Sequence, residues 1–265
     1  MNSTSGILNP SAIATEFQLS RHSPAPDIGA FVERYWIVSW DRRGQAPHLQ
    51  ETLPFPSVHL VLERGNSRIV GVVKGKFSIL LHDQGIVFGI KFRPGAYYPF
   101  VRAPVVQLTD RTIPLADVFG QDGAALEVAV CAQSDEAKMV EQAEQFLRGR
   151  LPEHDPQVEL INRIVDCVVA DRAIVTVDDL VARFSLTKRT LQRIFSQYVG
   201  VSPKWVIMRY RLQEAAEQMA GGEMTNWTKL ALDLGYFDQA HFIKDFKTIV
   251  GQTPAEYARS LRRNL

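Results

Sequence analysis

Cysteine is nearly absent. The 265 residues hold only Cys131 and Cys167, both in helix-like segments and without a second thiol or a histidine at metal-finger spacing. Neither a disulfide framework nor a zinc finger is expected, and both thiols read as reduced and packed. Long apolar runs are missing too: nothing approaches the roughly 18 uncharged apolar residues of a membrane-spanning helix. Met1 to Pro10 has no basic residue ahead of an apolar run, so a cytoplasmic rather than an exported or membrane-bound protein is expected. The glycines form neither a Gly-x-Ser-x-Gly elbow nor a phosphate-binding loop, which leaves nucleophilic hydrolysis and nucleotide binding without their usual signatures. No cofactor and no enzymatic activity are expected. Charge of one sign is scarce as well, since 30 Lys and Arg against 29 Asp and Glu leave a net charge of +1.

What is present is 46% hydrophobic, 22% charged and 9% aromatic residues, ample for a sizeable core, over a length that suits two domains better than one. The near-neutral total conceals an asymmetry. Residues 1 to 172 carry 17 Lys and Arg against 20 Asp and Glu, whereas residues 173 to 265 carry 13 against 9. The basic excess therefore lies at the C-terminal end, where it is a modest electrostatic footprint for a polyanionic partner.

Short apolar runs punctuated by Gly, Pro and Asn fill the first part: Tyr35 to Trp40, Val58 to Leu62, Ile69 to Val73, Phe77 to Leu81 and Ile86 to Phe92. This spacing predicts a β-barrel or sandwich. From about Leu115 helical spacing takes over, and Ser134 to Arg150 reads as one amphipathic helix with Met139, Val140, Ala143 and Phe146 or Leu147 on a face. Asp155 with Pro156 is an N-cap and first-turn pair that opens a further helix. The expected fold is α+β in two domains: a β-rich barrel or sandwich with trailing helices over residues 1 to 150, and an all-α domain over residues 151 to 265.

The most informative stretch is Thr176 to Phe195, TVDDLVARFSLTKRTLQRIF. Thr176 and Asp179 make a near capping box that starts a short helix, with Leu180, Val181 and Phe184 as its apolar stripe. Ser185 and Leu186 form a tight turn. Thr187 then caps a second helix that buries Leu191, Ile194 and Phe195 and leaves Lys188, Arg189, Gln192 and Arg193 on other faces. Two short helices and a brief turn make a helix-turn-helix. Arg and Gln are the side chains that pair bidentately with guanine and adenine in a major groove. The apolar skeleton recurs about fifty residues later in Lys229 to Phe246, if Phe237 is treated as one inserted residue. Between the copies, Ser202 and Pro203 start a helix whose stripe is Trp205, Met208, Leu212, Ala215 or Ala216 and Met219, ended by Gly221 and Gly222. At about 1.5 Å per residue such a rod spans roughly 25 Å, enough to hold two recognition helices about one DNA turn apart.

Residues 173 to 260 resemble the DNA-binding domain of the AraC/XylS family of bacterial transcriptional regulators. The resemblance rests on LQRIF (Leu191 to Phe195), GVSP (Gly200 to Pro203), Arg211 and Ala215, and on the closing run GYFDQAHFIKDFKTIVGQTPAEY from Gly235 to Tyr257. It implies paired helix-turn-helix units that bind double-stranded DNA. The family's base-reading positions fall on Arg189, Gln192 and Arg193 in the first recognition helix and on Ala240, His241 and Lys244 in the second; Lys188 and Gln239 beside them complete the candidate DNA contacts. Ser185 stands where the family often has Gly, and Ala240 cannot hydrogen-bond a base edge.

The N-terminal part is more loosely similar to sensor domains of the same family, through Leu53 to Pro56, Gly89 to Gly95 and Leu108 to Leu115. The resemblance implies a small-molecule effector of unstated class, RNA polymerase as a further partner, and a homodimer for which Ser134 to Arg150 is the candidate helix, with packing against its own barrel as the alternative. Arg93, beside Pro94 and Gly95, is a candidate for an anionic effector or simply an exposed loop residue. The competing class is a β-barrel metalloenzyme fused to a DNA-binding module, with His48, Glu51, His59 and His82 as ligands. Their spacing argues against it, because no pair lies on one strand face or one helix turn at ligand separation.

Overall fold

Alternation along one strand divides the N-terminal part of the molecule into two faces. The computed structural model describes residues 15–220 and 227–263. In β2 (Val32–Asp41), Tyr35 and Ile37 enter one buried cluster, while Arg34, Trp36, Val38 and Trp40 line a cavity on the other side. Around β2 are β1 (Gln18–His22), β3 (His48–Thr52), β4 (His59–Leu62), β5 (Arg68–Val70), β6 (Phe77–Leu81), β7 (Gln84–Phe92) and β8 (Thr112–Pro114). Six of them form an antiparallel sheet in the order β1-β2-β7-β4-β5-β8, and β3 pairs with β6 in a separate two-stranded sheet. The cavity lies between these two sheets, lined from both.

The other face of the large sheet is covered by α2 (Leu115–Cys131) and α3 (Glu136–Arg148), reached through the single turn α1 (Tyr98–Val101). Asp135 caps α3 by accepting from Ala137 N and Lys138 N. Met139, Ala143 and Leu147 are buried against Tyr35, Ile37, Phe88 and Ile90, with Val140 and Phe146 packed at the margin. The helix singled out for dimerisation thus packs at home, its apolar face spent inside its own chain.

The C-terminal part is helical: α4 (Pro156–Ala170), α5 (Val177–Phe184), α6 (Lys188–Ile194), α7 (Pro203–Ala220), α8 (Trp227–Asp233), α9 (Gln239–Val250) and α10 (Pro254–Arg263). Asp155 caps α4 with Pro156 at its first turn. One apolar cluster runs through these helices, and Leu53, Val72 and Ala96 of the β-rich part belong to it. The two parts therefore share a core. Gly221 and Gly222, the expected stop of the rod, lie outside the described residues.

Candidate nucleic-acid interface

The first helix-turn-helix is built from local signals. Thr176 and Asp179 form the capping box: Thr176 N donates to Asp179 Oδ2 at 2.7 Å and Asp179 N to Thr176 Oγ1 at 3.3 Å. Burial opposes ionisation of Asp179, but the hydrogen bonds from Thr176 and Val175 outweigh it and hold the carboxyl below its ordinary range. Ser185 ends α5 in the left-handed region at φ 52°. Thr187 caps α6 by accepting from Thr190 N at 3.1 Å. Leu191, Ile194 and Phe195 are buried, so rotation about α6 is set and Arg189, Gln192 and Arg193 face solvent. None of these three has a hydrogen-bond or ion-pair partner among the described residues. Lys188 does: its Nζ lies 2.8 Å from Asp178 on α5.

After α6 the helix widens into a π-turn over Phe195–Val199 and stops at Gly200, φ 91°. Glycine is needed there for space as well, since a Cβ would stand 3.0 Å from Val105 O.

In the second unit Asp238 caps α9 by accepting from His241 N at 2.8 Å, a bond that with the His241 ring holds its carboxyl below the ordinary range. His241 Nδ1 lies 2.7 Å from Asp238 Oδ2, which leaves Nε2 as the ring's outward polar atom. Gln239 is half-buried and accepts from Thr228 Oγ1 at 3.0 Å, bracing α9 against α8 rather than standing free. Ala240 and Lys244 are exposed. Phe237, just before the cap, is 96% exposed.

The rod α7 is buried on more sides than an amphipathic helix requires. Trp205, Val206, Ile207 and Leu212 are buried, and so are Arg209 and Arg211. Arg211 is satisfied by backbone carbonyls of Val168, Asp171 and Ile174 and by Glu214. Arg209 donates through Nε to Pro54 O at 2.5 Å, and its guanidinium covers the Phe55 ring at 4.4 Å. Leu53, Pro54 and Phe55 in turn line the β-domain cavity, of about 220 Å³. Other braces join the β-rich part to the first helix-turn-helix: Tyr98 and Tyr198 rings lie 4.2 Å apart, and Thr109 Oγ1 donates to Gly200 O. Lys76 stands against Gly251 at the end of α9, so the β-rich part also lies beside the second helical unit.

The four alternative metal ligands are each engaged elsewhere. His59 Nδ1 accepts from Trp36 Nε1 at 3.2 Å, Glu51 pairs with Lys76, His48 lies beside Gln50 and Glu16, and exposed His82 pairs with Asp83. Among the described residues no three His, Cys, Asp or Glu side chains gather as a metal site. Arg93 donates to Gly29 O at 2.6 Å and is half-buried, so it is not the exposed loop arginine expected.

Comparison with known proteins follows this division. Residues 180–260 match a helix-turn-helix domain family, and residues 20–114 match a domain family of unknown function, DUF6597. An uncharacterized HTH-type transcriptional regulator of Haemophilus influenzae is 31% identical over 85 residues, 32% of this chain and 28% of that protein. The HTH-type transcriptional activator RhaS of Pectobacterium carotovorum is 35% identical over 75 residues, 28% of this chain and 26% of that protein. The chain thus spans little more than a quarter of the length of these curated relatives. Among solved structures, a probable AraC family transcriptional regulator from Rhodopseudomonas palustris is 26% identical, with 37% of this chain and 93% of that one covered at a TM-score of 0.34. ToxT of Vibrio cholerae is 14% identical, with 93% and 98% covered at a TM-score of 0.38. The C-terminal part carries a helix-turn-helix domain over residues 180–260. A β-rich domain precedes the helical one. No helix among the described residues is long and apolar enough to cross a membrane.

Proposed function

We propose that the protein is a sequence-specific DNA-binding transcriptional regulator whose hold on DNA is set from its N-terminal domain. Residues 151 to 265 carry the DNA-binding part and residues 1 to 150 the sensing part. The observation that carries the first half is the exposed triad Arg189, Gln192 and Arg193 on a helix fixed by its own buried face. Three long polar side chains in that position suit base edges of a major groove. The second half rests on the loop Leu53 to Phe55, which lines the cavity on one side and meets Arg209 of the rod on the other. A molecule in the cavity alters the packing of that loop, and the rod sets the relation of the two reading heads. Promoter-bound RNA polymerase is the partner such a regulator acts on. Self-association would need a surface other than the apolar face of α3.

The test is selection of bound duplexes from a random DNA pool by the full chain, followed by affinity measurements at several salt concentrations. Enrichment of one motif, with affinity falling steeply as salt rises, is expected because phosphate contacts release counterions. No enriched motif together with a flat salt response would overturn the reading.

A further inference from the structure

The strand register orders the cavity wall from polar to apolar. Across β2, β7 and β4 the residues Arg34, Lys91 and His59 are register partners and form one row. Two residues further along, the row is Arg21, Trp36, Gly89, Val61 and Arg68. Then come Leu19, Val38 and Val87, and last Trp40 with Gly85. From Arg34 to Trp40 the wall runs roughly 20 Å at about 3.3 Å per residue. Charge is confined to the first two of these four rows.

Glycine shapes the floor. A Cβ on Gly89 would stand 1.9 Å from the Trp36 ring, and one on Gly85 would stand 2.3 Å from the Trp40 ring. Because neither position has a side chain, both indoles can lie over the glycines of the neighbouring strand. Phe17, Phe55 and Phe77 complete an aromatic surround.

Cations outnumber carboxylates at the polar end. Arg21, Arg34, Arg68 and Lys91 line the cavity, and among the described residues no Asp or Glu does. Behind them, Glu33 is shared by Lys91 at 2.9 Å and Arg34 at 3.0 Å, and Glu63 pairs with Arg68. Arg209 adds a further buried positive charge on the far side of Phe55. One polar group lining the cavity also lacks a partner. Ser57 Oγ is buried with no hydrogen-bond partner among the described residues. His59 accepts at Nδ1 from Trp36, and burial beside Lys91 and Arg34 keeps the ring neutral, so its proton sits on Nε2 and that atom donates.

We infer that this cavity binds a planar aromatic anion, its acidic group at the Arg34, Lys91 and Ser57 end and its ring against Trp36 and Trp40. A cation would be repelled by the first row. A neutral polyol would leave the long apolar stretch without a match, and an aliphatic chain would make no use of the two flat indoles. The inference deepens the regulatory reading and rests on it only for the consequence of binding.

The experiment is calorimetric titration of the full chain with 3-phenylpropanoate, its amide, its amine counterpart 3-phenylpropylamine, and octanoate. The aromatic acid is expected to bind about tenfold or more tightly than the other three, in keeping with charge-assisted hydrogen bonds in a dry site. Lys91→Gln and Arg34→Gln should each erase that preference for acid over amide, while circular dichroism and urea midpoints report whether the variants stay folded. Gly89→Ala, which drives a methyl into the Trp36 ring, should lose all ligands. Equal binding of acid and amide, equal binding of octanoate, or no binding by the folded chain would each overturn the inference. DNA affinity is measured on the same preparation. Binding to DNA without binding the acid defeats this inference alone, whereas binding the acid without binding DNA defeats the regulatory reading alone.

Discussion

The guanidinium of Arg209 lies 4.4 Å from the centre of the Phe55 ring, and Lys91 Nζ lies 3.7 Å from the same ring. With Arg34 at 5.6 Å, three cations from the rod and the sheet converge on one aromatic side chain. Phe55 thereby joins the cavity to α7, the helix between the two helix-turn-helix units.

That convergence makes a stability prediction. A desolvated cation–π contact contributes up to about 2 kcal/mol, and an exposed one about 0.5 to 1. Phe55→Leu keeps most of the apolar volume and removes the π face, so the full chain should lose about 1 to 3 kcal/mol in urea denaturation. An unchanged midpoint would mean that the ring only fills space.

His59 yields a pH dependence. Burial, with Lys91 and Arg34 nearby, lowers its pKa to about 3 from an ordinary 6.5. The folded chain therefore holds the ring neutral while the unfolded chain protonates it, so the unfolded state binds more protons between those values. This contribution to stability is complete above pH 6.5 and fades as the pH falls toward 3. Between pH 7.5 and pH 5 the wild type should lose more stability than His59→Gln; equal losses would show that His59 is not the group responsible.

Capping explains why the C-terminal part was so legible. Thr176 with Asp179, Thr187, and Asp155 with Pro156 act within one helical turn, and each caps the helix it was expected to open. The strands at Gln18–His22 and His48–Thr52 escaped notice because their residues are mostly polar and belong to a sheet edge or a two-stranded pair. The burial of Arg209 and Arg211 has no such local signal. Their burial depends on carbonyls at Pro54, Val168, Asp171 and Ile174, and no local pattern shows that those groups will be there. The cavity had a visible signal in the alternation Arg34, Trp36, Val38, Trp40, whose two-residue period continues to Gly85 and Gly89 on the partner strand.

Ser185 carries a conformational cost that can be relieved. At φ 52° a residue with a Cβ is disfavoured by about 1 to 2 kcal/mol, whereas glycine is not, although glycine loses more chain entropy on folding. Ser185→Gly should therefore stabilise the domain by about 0.5 to 1 kcal/mol. A lower melting temperature would show that the serine makes a compensating contact.

The first recognition helix should dominate hydrogen-bonded readout. One good bidentate base contact is worth about 1 to 3 kcal/mol, so Arg193→Ala should weaken the selected motif roughly 5- to 150-fold and random DNA far less. Lys188→Ala should change either affinity little, because its ammonium is paired with Asp178. If the lysine variant loses specificity and the arginine variant does not, α6 meets DNA on a different face.

The second recognition helix should read by apolar contact instead. Phe237 is 96% exposed immediately before α9, and exposed Ala240 follows on the first turn, both being residue types that meet the methyl group of thymine in a major groove. His241 is tied back to Asp238 and Gln239 to Thr228, so two of the candidate hydrogen-bonding side chains there are already engaged. A buried methyl group is worth about 0.8 kcal/mol, or roughly fourfold in affinity. Replacing single thymines of the selected motif by uracil should therefore cost about fourfold at one position in the half bound by α9. Phe237→Ser should cost as much on the thymine duplex and nothing further on the uracil duplex, since the same contact is removed from either side. Independent, additive losses would show that Phe237 touches the sugar-phosphate backbone rather than the base.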